Sequence, residues 1–432
     1  MKANRQRRWA LRFFPIWSGQ ALSLLGSAVA QFAVVWWLTD TTGSAVVLAT
    51  ASLVAMLPQV ALGPFIGALV DRLDRRKVMI IADGAVALLG LVLALLFWAG
   101  RAEIWHLYVI MMLRSIGGAF HWPAMQASTT QLVPEEHLPR ISGLNQALQG
   151  ASQIIAPPLG ALLLAVLPLH GMMGIDVATA IMAIVPLFFV QIPQPTLEAV
   201  PGAGASTIWH TMWHDTREGL GYIWNWGALR YLVTIAAVLN LLYAPAFTLM
   251  PLLVREYFQQ GALELGYLNA AWGAGIVLGG LLLMALGGGK RGMRTSVLAL
   301  IGQGLMLSLL PASPPNLIAL AIVGMFLAAV LNAITNGLVN AFMLRQVDPS
   351  KQGRVFTALS SFCGAMMPLG MAMAGPVAEA LGIRAWFIAA SVMTVVLGIW
   401  TLGGPMLREL ERSEQRQREE REDQALVMAN AE

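Results

Sequence analysis

Apolar runs of membrane-spanning length recur through this chain from residue 13 to residue 406, and that recurrence leaves few folds open. A helix crosses about 30 Å of hydrocarbon with roughly 20 residues. Hydropathy and breaker residues divide the sequence into stretches at 13–38, 45–70, 78–98, 104–131, 138–166, 172–191, 229–254, 265–287, 293–311, 316–344, 352–381 and 384–406. Backbone N–H and C=O groups find no water in hydrocarbon, so such runs are expected to be helices that satisfy those groups internally. The predicted class is an all-α polytopic membrane protein with twelve transmembrane helices. The 12% of charged residues falls well below the roughly 25% of soluble domains.

Lys and Arg show which way the spans run. With the N-terminus inside, the inner segments hold Lys2, Arg5, Arg7, Arg8 and Arg12, the Arg72–Lys77 group, Lys290, Arg291, Arg345, Lys351 and Arg354. The outer loops hold Arg101, Arg255 and Arg384. Positive residues favour the cytoplasmic side, so both termini are expected there. The net charge of +4 belongs to loops and tails and does not point to nucleic acid. The basic N-terminus precedes a span too long for a signal peptide and reads as an uncleaved first helix.

The longest interior connection splits the chain into an expected six-helix bundle at 1–191, a cytoplasmic linker at 192–227, a second bundle at 228–407 and a charged tail at 408–432. The linker carries Trp209, Trp213, Tyr222, Trp224 and Trp226 among polar residues, the pattern of a helix lying at the membrane interface. Its His210, His214 and Asp215 have no diagnostic metal-ligand spacing, and the lone Cys363 offers no disulfide or thiolate cluster. The bundles are related. A shift of 214 residues lays Arg76-Lys77 on Lys290-Arg291 and Pro139-Arg140 on Gly353-Arg354.

The sharpest motif is Gly67-x-x-x-Asp71-Arg72-x-x-Arg75-Arg76. It resembles the loop 2–3 motif of the major facilitator superfamily, G-x-x-x-D-R-x-G-R-R, and departs from it at Asp74. The stretches Trp36-Trp37-Leu-Thr-Asp-Thr-Thr-Gly43, Ala119-Phe-His121-Trp-Pro123 and Gly353-Arg-Val-Phe356 are similar to macrolide-efflux and enterobactin-exporter members. Arg114-x-x-x-Gly118 resembles the arginine motif of proton-coupled members, and Gly150…Pro157-Pro158-x-Gly160 partly matches the antiporter motif. The resemblance implies the superfamily's fold, a monomer in a bacterial plasma (inner) membrane and a loop that latches the inner gate through Gly67, Asp71, Arg72, Arg75 and Arg76.

Arg114 lies deep in span 4, where a cation needs a watery cavity or a partner. Helical spacing aligns it with Gly118, Trp122 and Gln126. Asn332, Asn336 and Asn340 form a stripe on span 10, and Asn145, Gln149 and Gln153 another on span 5. These amides, with Tyr243, are candidates for a substrate cavity facing spans 4, 5 and 10; helix packing is an equally available reading. The acids in or near spans are Asp40, Asp83, Asp176, Glu256 and Glu379. Asp40, Glu379, His121 and Arg114 are the candidates for coupling, with Asp83 a possible part of the gate.

No Walker loop or nucleophile–base constellation suggests an enzyme, and no metal or other cofactor is expected. The expected function is alternating-access export of amphipathic small molecules such as drugs or macrolides, driven by protons. The partners are then the lipid bilayer, the substrate and protons. A dedicated exporter of one metabolite such as a siderophore, and a non-transporting sensor or lipid-handling protein, are the alternatives.

Overall fold

The computed structural model describes residues 2–70, 73–192, 217–218, 221–286, 292–348 and 351–412. Among them the regular structure is helical, with no strand. The long helices are α1 Lys2–Thr42, α2 Ala45–Val70, α3 Arg75–Trp98, α4 Ile104–Leu132, α5 Leu138–Val166 and α6 Leu169–Phe189. They continue with α7 Gly227–Leu252, α8 Ala262–Leu286, α9 Gly292–Leu307, α10 Ile318–Gln346, α11 Gln352–Leu381 and α12 Arg384–Gly403. A π-helical turn, Leu253–Tyr257, prolongs α7.

Eleven segments are long and apolar enough to cross a membrane, and α4 is the long helix outside that set. Its 29 residues suffice in length, but Arg114, His106, His121 and Gln126 lower its hydropathy. Helix α1 starts well before the expected residue 13, because Lys2–Arg12 contains neither Gly nor Pro and Lys and Arg are good helix formers. Helix α9 stops at Leu307, and a separate short turn, Leu309–Ala312, completes the expected ninth span. Asp74, the departure from the loop motif, is the N-cap of α3: its Oδ1 accepts the Lys77 amide at 3.2 Å. Asp satisfies an otherwise orphaned helix-start donor there.

The 214-residue offset extends to whole helices. Displaced by it, Ile104–Leu132 falls on Ile318–Gln346 residue for residue, and the bounds of α5 and α6 fall within one residue of those of α11 and α12. Asp71, Arg72, Lys290 and Arg291 lie outside the described residues, as do His210, His214, Asp215 and the tail from 413 onward. Of the expected interfacial helix, 217–218 and 221–225 are helical.

The chain divides into two compact units, one of Met1–Gly204, Phe247–Ala270 and Met371–Ile383, the other of Ala205–Ala246, Ala271–Gly370 and Arg384–Glu432. In the first, close backbone approach sets the packing. A Cβ on Gly26 would stand 2.2 Å from Thr179 Oγ1, so α1 meets α6 there only through glycine. At the Asp40 end, the termini of α7, α8 and α11 meet α1, α5 and α2. Gly375 abuts Val46, Gly266 abuts Pro158, and Arg255 Nε holds Asp40 Oδ1 at 3.1 Å. Small residues permit such contact in lipid, where packing replaces the hydrophobic drive between helices. The second unit has its own core around Ile223, Leu229, Val297, Phe342 and Val355. Leu88, Leu95, Trp98, Phe189 and Trp400 stay exposed, a surface suited to lipid and unfavourable in water.

Candidate functional site

A cavity of about 370 Å³ opens within the first unit, walled by α1 to α5. Helix α1 contributes Trp17, Gln20, Leu24 and Ser27, one face at helical spacing. From α4 come Arg114, Gly118, His121, Trp122, Met125 and Gln126, while Asn145, Leu148 and Gln149 come from α5. Asp83 and Val86 complete it from α3, and Gln59 from α2. Trp17 Nε1 donates to Asn145 Oδ1 at 2.8 Å, holding an aromatic wall against a polar one. The lining thus joins apolar bulk to a few oriented polar groups, the usual make-up of a small-molecule site.

Three of these residues, Asp83, Arg114 and His121, have acidic or basic side chains, and they fall into two clusters. Arg114 Nη1 lies 2.5 Å from Asp176 Oδ2 on α6, whose other oxygen accepts the Ser27 hydroxyl at 2.6 Å. Asp176 is 1% exposed, and a carboxylate buried that far needs a partner of opposite charge. Gly90 on α3 makes the space: a Cβ there would come within 3.3 Å of Asp176 Oδ2 and 3.4 Å of Arg114 Nη1. The second cluster centres on Asp83. Gln20 Nε2 donates to Asp83 Oδ2 at 2.8 Å, and His121 Nε2 stands 3.2 Å from Oδ1. His121 Nε2 is buried without an aligned hydrogen bond, so this approach is proximity rather than a formed bond.

Arg114, His121, Trp122, Gln126, Asn145 and Gln149 are thereby brought together in one cavity. Gln153 is exposed one turn further along α5 and does not line it. Asn332, Asn336, Asn340 and Tyr243 belong to the other unit. There Asn336 Nδ2 donates to Asn332 Oδ1 at 3.1 Å, and the Tyr243 hydroxyl links Thr394 at 2.8 Å with Gln303 at 2.9 Å. Asp40 pairs with Arg255 at the helix ends, and Glu379 is exposed.

In the charged motif between α2 and α3, Gly67 lies within α2. Arg75 is buried and donates to the Ala127 carbonyl of α4 at 3.1 Å. Arg76 reaches the Leu187 and Phe188 carbonyls at 2.5 and 2.8 Å. These close the end of α6, where the helix dipole favours a cation. Across the second unit, Arg354 Nη1 meets both Glu218 oxygens at 2.9 Å.

Residues 16–370 match the family model described as Major Facilitator Superfamily. The chain belongs to this superfamily. Superfamily relatives include Macrolide efflux protein A of Streptococcus pyogenes, 31% identical over 95% of this chain and 99% of that protein. Multidrug efflux pump Tap of Mycobacterium bovis (strain BCG / Pasteur 1173P2) is 28% identical over 91% of this chain and 93% of its own length. Among solved structures, an inward-facing bacterial homologue of the iron transporter ferroportin aligns with TM-score 0.64 at 15% identity, covering 92% of this chain and 99% of that one. At that identity the likeness concerns the fold alone.

Sequence reasoning left Asp83, Asp176, Gln20 and Ser27 out of the site. One signal was available for Asp176. A superfamily chain with one arginine deep in a span needs an acid at matching depth, and Asp176 is the acid within α6.

Proposed function

We propose that the chain is a proton-coupled exporter of amphipathic small molecules, such as drugs or macrolides. In this reading it works as a monomer in a bacterial inner membrane with both termini in the cytoplasm. It needs no cofactor, catalyses no chemical conversion and draws on the proton gradient. The two six-helix halves rock about a midplane site, and the Gly67–Arg76 loop latches the inner gate. The observation that carries the reading is the α1–α5 cavity, where Trp17, Trp122, Leu24 and Met125 surround charged and amide groups. Aromatic and Met walls accept varied apolar shapes. Whole-length similarity to efflux proteins supports the direction of transport.

Two measurements test the reading. Cells expressing the protein should tolerate several unrelated amphipathic antimicrobials better than matched non-expressing cells. Purified protein in vesicles should move those compounds when a pH gradient is imposed. Equal susceptibility across the panel, with no gradient-driven movement, rejects the exporter reading. Protection against a single compound selects the dedicated exporter.

A further inference from the structure

We propose that Asp83 and His121 hold one exchangeable proton between them, and that a cationic amphipath in the α1–α5 cavity displaces it. The proposal rests on the exporter reading above and names its coupling site. It begins from the charge balance of the cavity. Among the described lining residues, Asp83, Arg114 and His121 are the ones with acidic or basic side chains. Arg114 is matched by Asp176 at 2.5 Å, with Ser27 on the second carboxylate oxygen, so the two charges of that cluster offset each other.

Among the described residues, no arginine or lysine pairs with Asp83 in this way. Its α1 neighbour, Gln20, is an uncharged amide that stabilises a carboxylate without neutralising it. From α4 it faces His121, the side-chain type that gains or loses charge near neutral pH. Gln59 of α2 and Asn145 of α5 bring no charge to the cavity, and Asp176 of α6 is engaged by Arg114. Arg75, two turns before Asp83 on α3, donates to Ala127. The state of the cavity therefore follows the Asp83–His121 pair.

With one proton, on the His121 imidazole or the Asp83 carboxyl, the pair is neutral. Without it the pair carries a net charge of −1 in a poorly solvated place, which is costly until a cation arrives. The proton and a cationic amphipath thus compete for one carboxylate. Exclusive occupancy is what exchange requires: the proton taken up from outside leaves to the cytoplasm as the cation binds, and the cation leaves outside as the next proton binds. The buried Nε2 of His121, 3.2 Å from Asp83 Oδ1 and without an aligned hydrogen bond, is the atom placed to take that proton.

The test uses the full-length purified protein and ethidium as the cation. In the wild type, ethidium binding should strengthen with pH by about tenfold per unit across the range where the pair titrates, the slope of a one-proton exchange. Binding should release about one proton, read with a pH indicator in weak buffer. In Asp83→Asn and in His121→Gln, the affinity that remains should vary little over the same range, whereas Asp83→Glu should retain the slope. A slope that survives in either neutral variant overturns the proposal, as does pH-independent or absent ethidium binding in the wild type. Those outcomes leave the exporter reading standing, because the susceptibility panel judges it separately.

Discussion

Displaced by 214 residues, Asp83, Arg114 and Asp176 fall on Val297, Ala328 and Ala390. The first three bring charge to a cavity and its wall; the second three are 5%, 0% and 0% exposed and simply fill space. The exchange runs the other way as well. Tyr243, Gln303 and Thr394 form a neutral hydrogen-bonded set, while their counterparts Val29, Leu89 and Ala180 are apolar. Gly90 and Gly304 occupy matching positions, each where its helix meets the last helix of its half. The repeated element is thus the helical frame with its close approaches, and the difference between halves is where charge is tolerated. Burying an ion pair brings little stability for its desolvation cost, so stability alone does not account for the Arg114–Asp176 pair where the matching positions hold two alanines.

The largest expected effect comes from forcing the second half to resemble the first. Ala328→Arg places an unpaired cation at a site with no exposure, where insertion alone costs about 3 kcal/mol and overpacking adds to it. Folded, monodisperse protein should be lost, as gel filtration in detergent would reveal. Recovery of folded protein would mean that the second half has hidden room or a hidden acid.

Next comes the reverse change. Asp176→Ala leaves Arg114 without its carboxylate and should cost about 3–5 kcal/mol, the penalty for breaking a buried pair. Adding Arg114→Ala, which reproduces the Ala328 and Ala390 arrangement, should return most of that in thermal unfolding. No recovery would show that the pair is worth more than its mutual neutralisation.

The glycines give a smaller contrast. A Cβ on Gly304 meets Val395 Cγ2 at 2.7 Å and the Ser391 carbonyl at 2.9 Å, against 3.3 Å for the nearest atoms around Gly90. Gly304→Ala should destabilise by about 1–3 kcal/mol, and Gly90→Ala by less. Equal shifts in melting temperature would remove the distinction. The smallest effect is Asp74→Gly, which gives the α3 start the residue found 214 positions later, Gly288. Replacing an N-cap Asp by Gly costs only a few tenths of a kcal/mol, so the melting temperature should hardly move.

Much of the frame was legible before any coordinates. Apolar runs and punctuation located the spans, since spanning lipid is a constraint on local composition and length. The offset read from two loops carried over to α4 and α10 in full. The stripe Arg114, Gly118, Trp122 and Gln126 shares one cavity because a single helix fixes its own side-chain spacing. Asp83 and Asp176 were visible as acids in apolar runs, but not as members of two distinct clusters. Asp176 lies 62 residues from Arg114, and Gln20 lies 63 from Asp83. Helical period says which residues share a face, not which other helix that face will meet.

By itself, then, the sequence determined that the chain is a helical membrane protein with a repeated half, an unusual arginine in one half and a charged loop after its second helix. These are properties of segments, governed by rise per residue and the cost of exposing backbone to hydrocarbon. Only the tertiary structure decided which charges cancel. Arg114 is neutralised by Asp176 through the gap left at Gly90, and Asp83 is left with Gln20 and His121. That assignment depends on distances of a few ångströms between helices far apart in sequence, and electrostatic energy in a low-dielectric interior changes steeply over such distances.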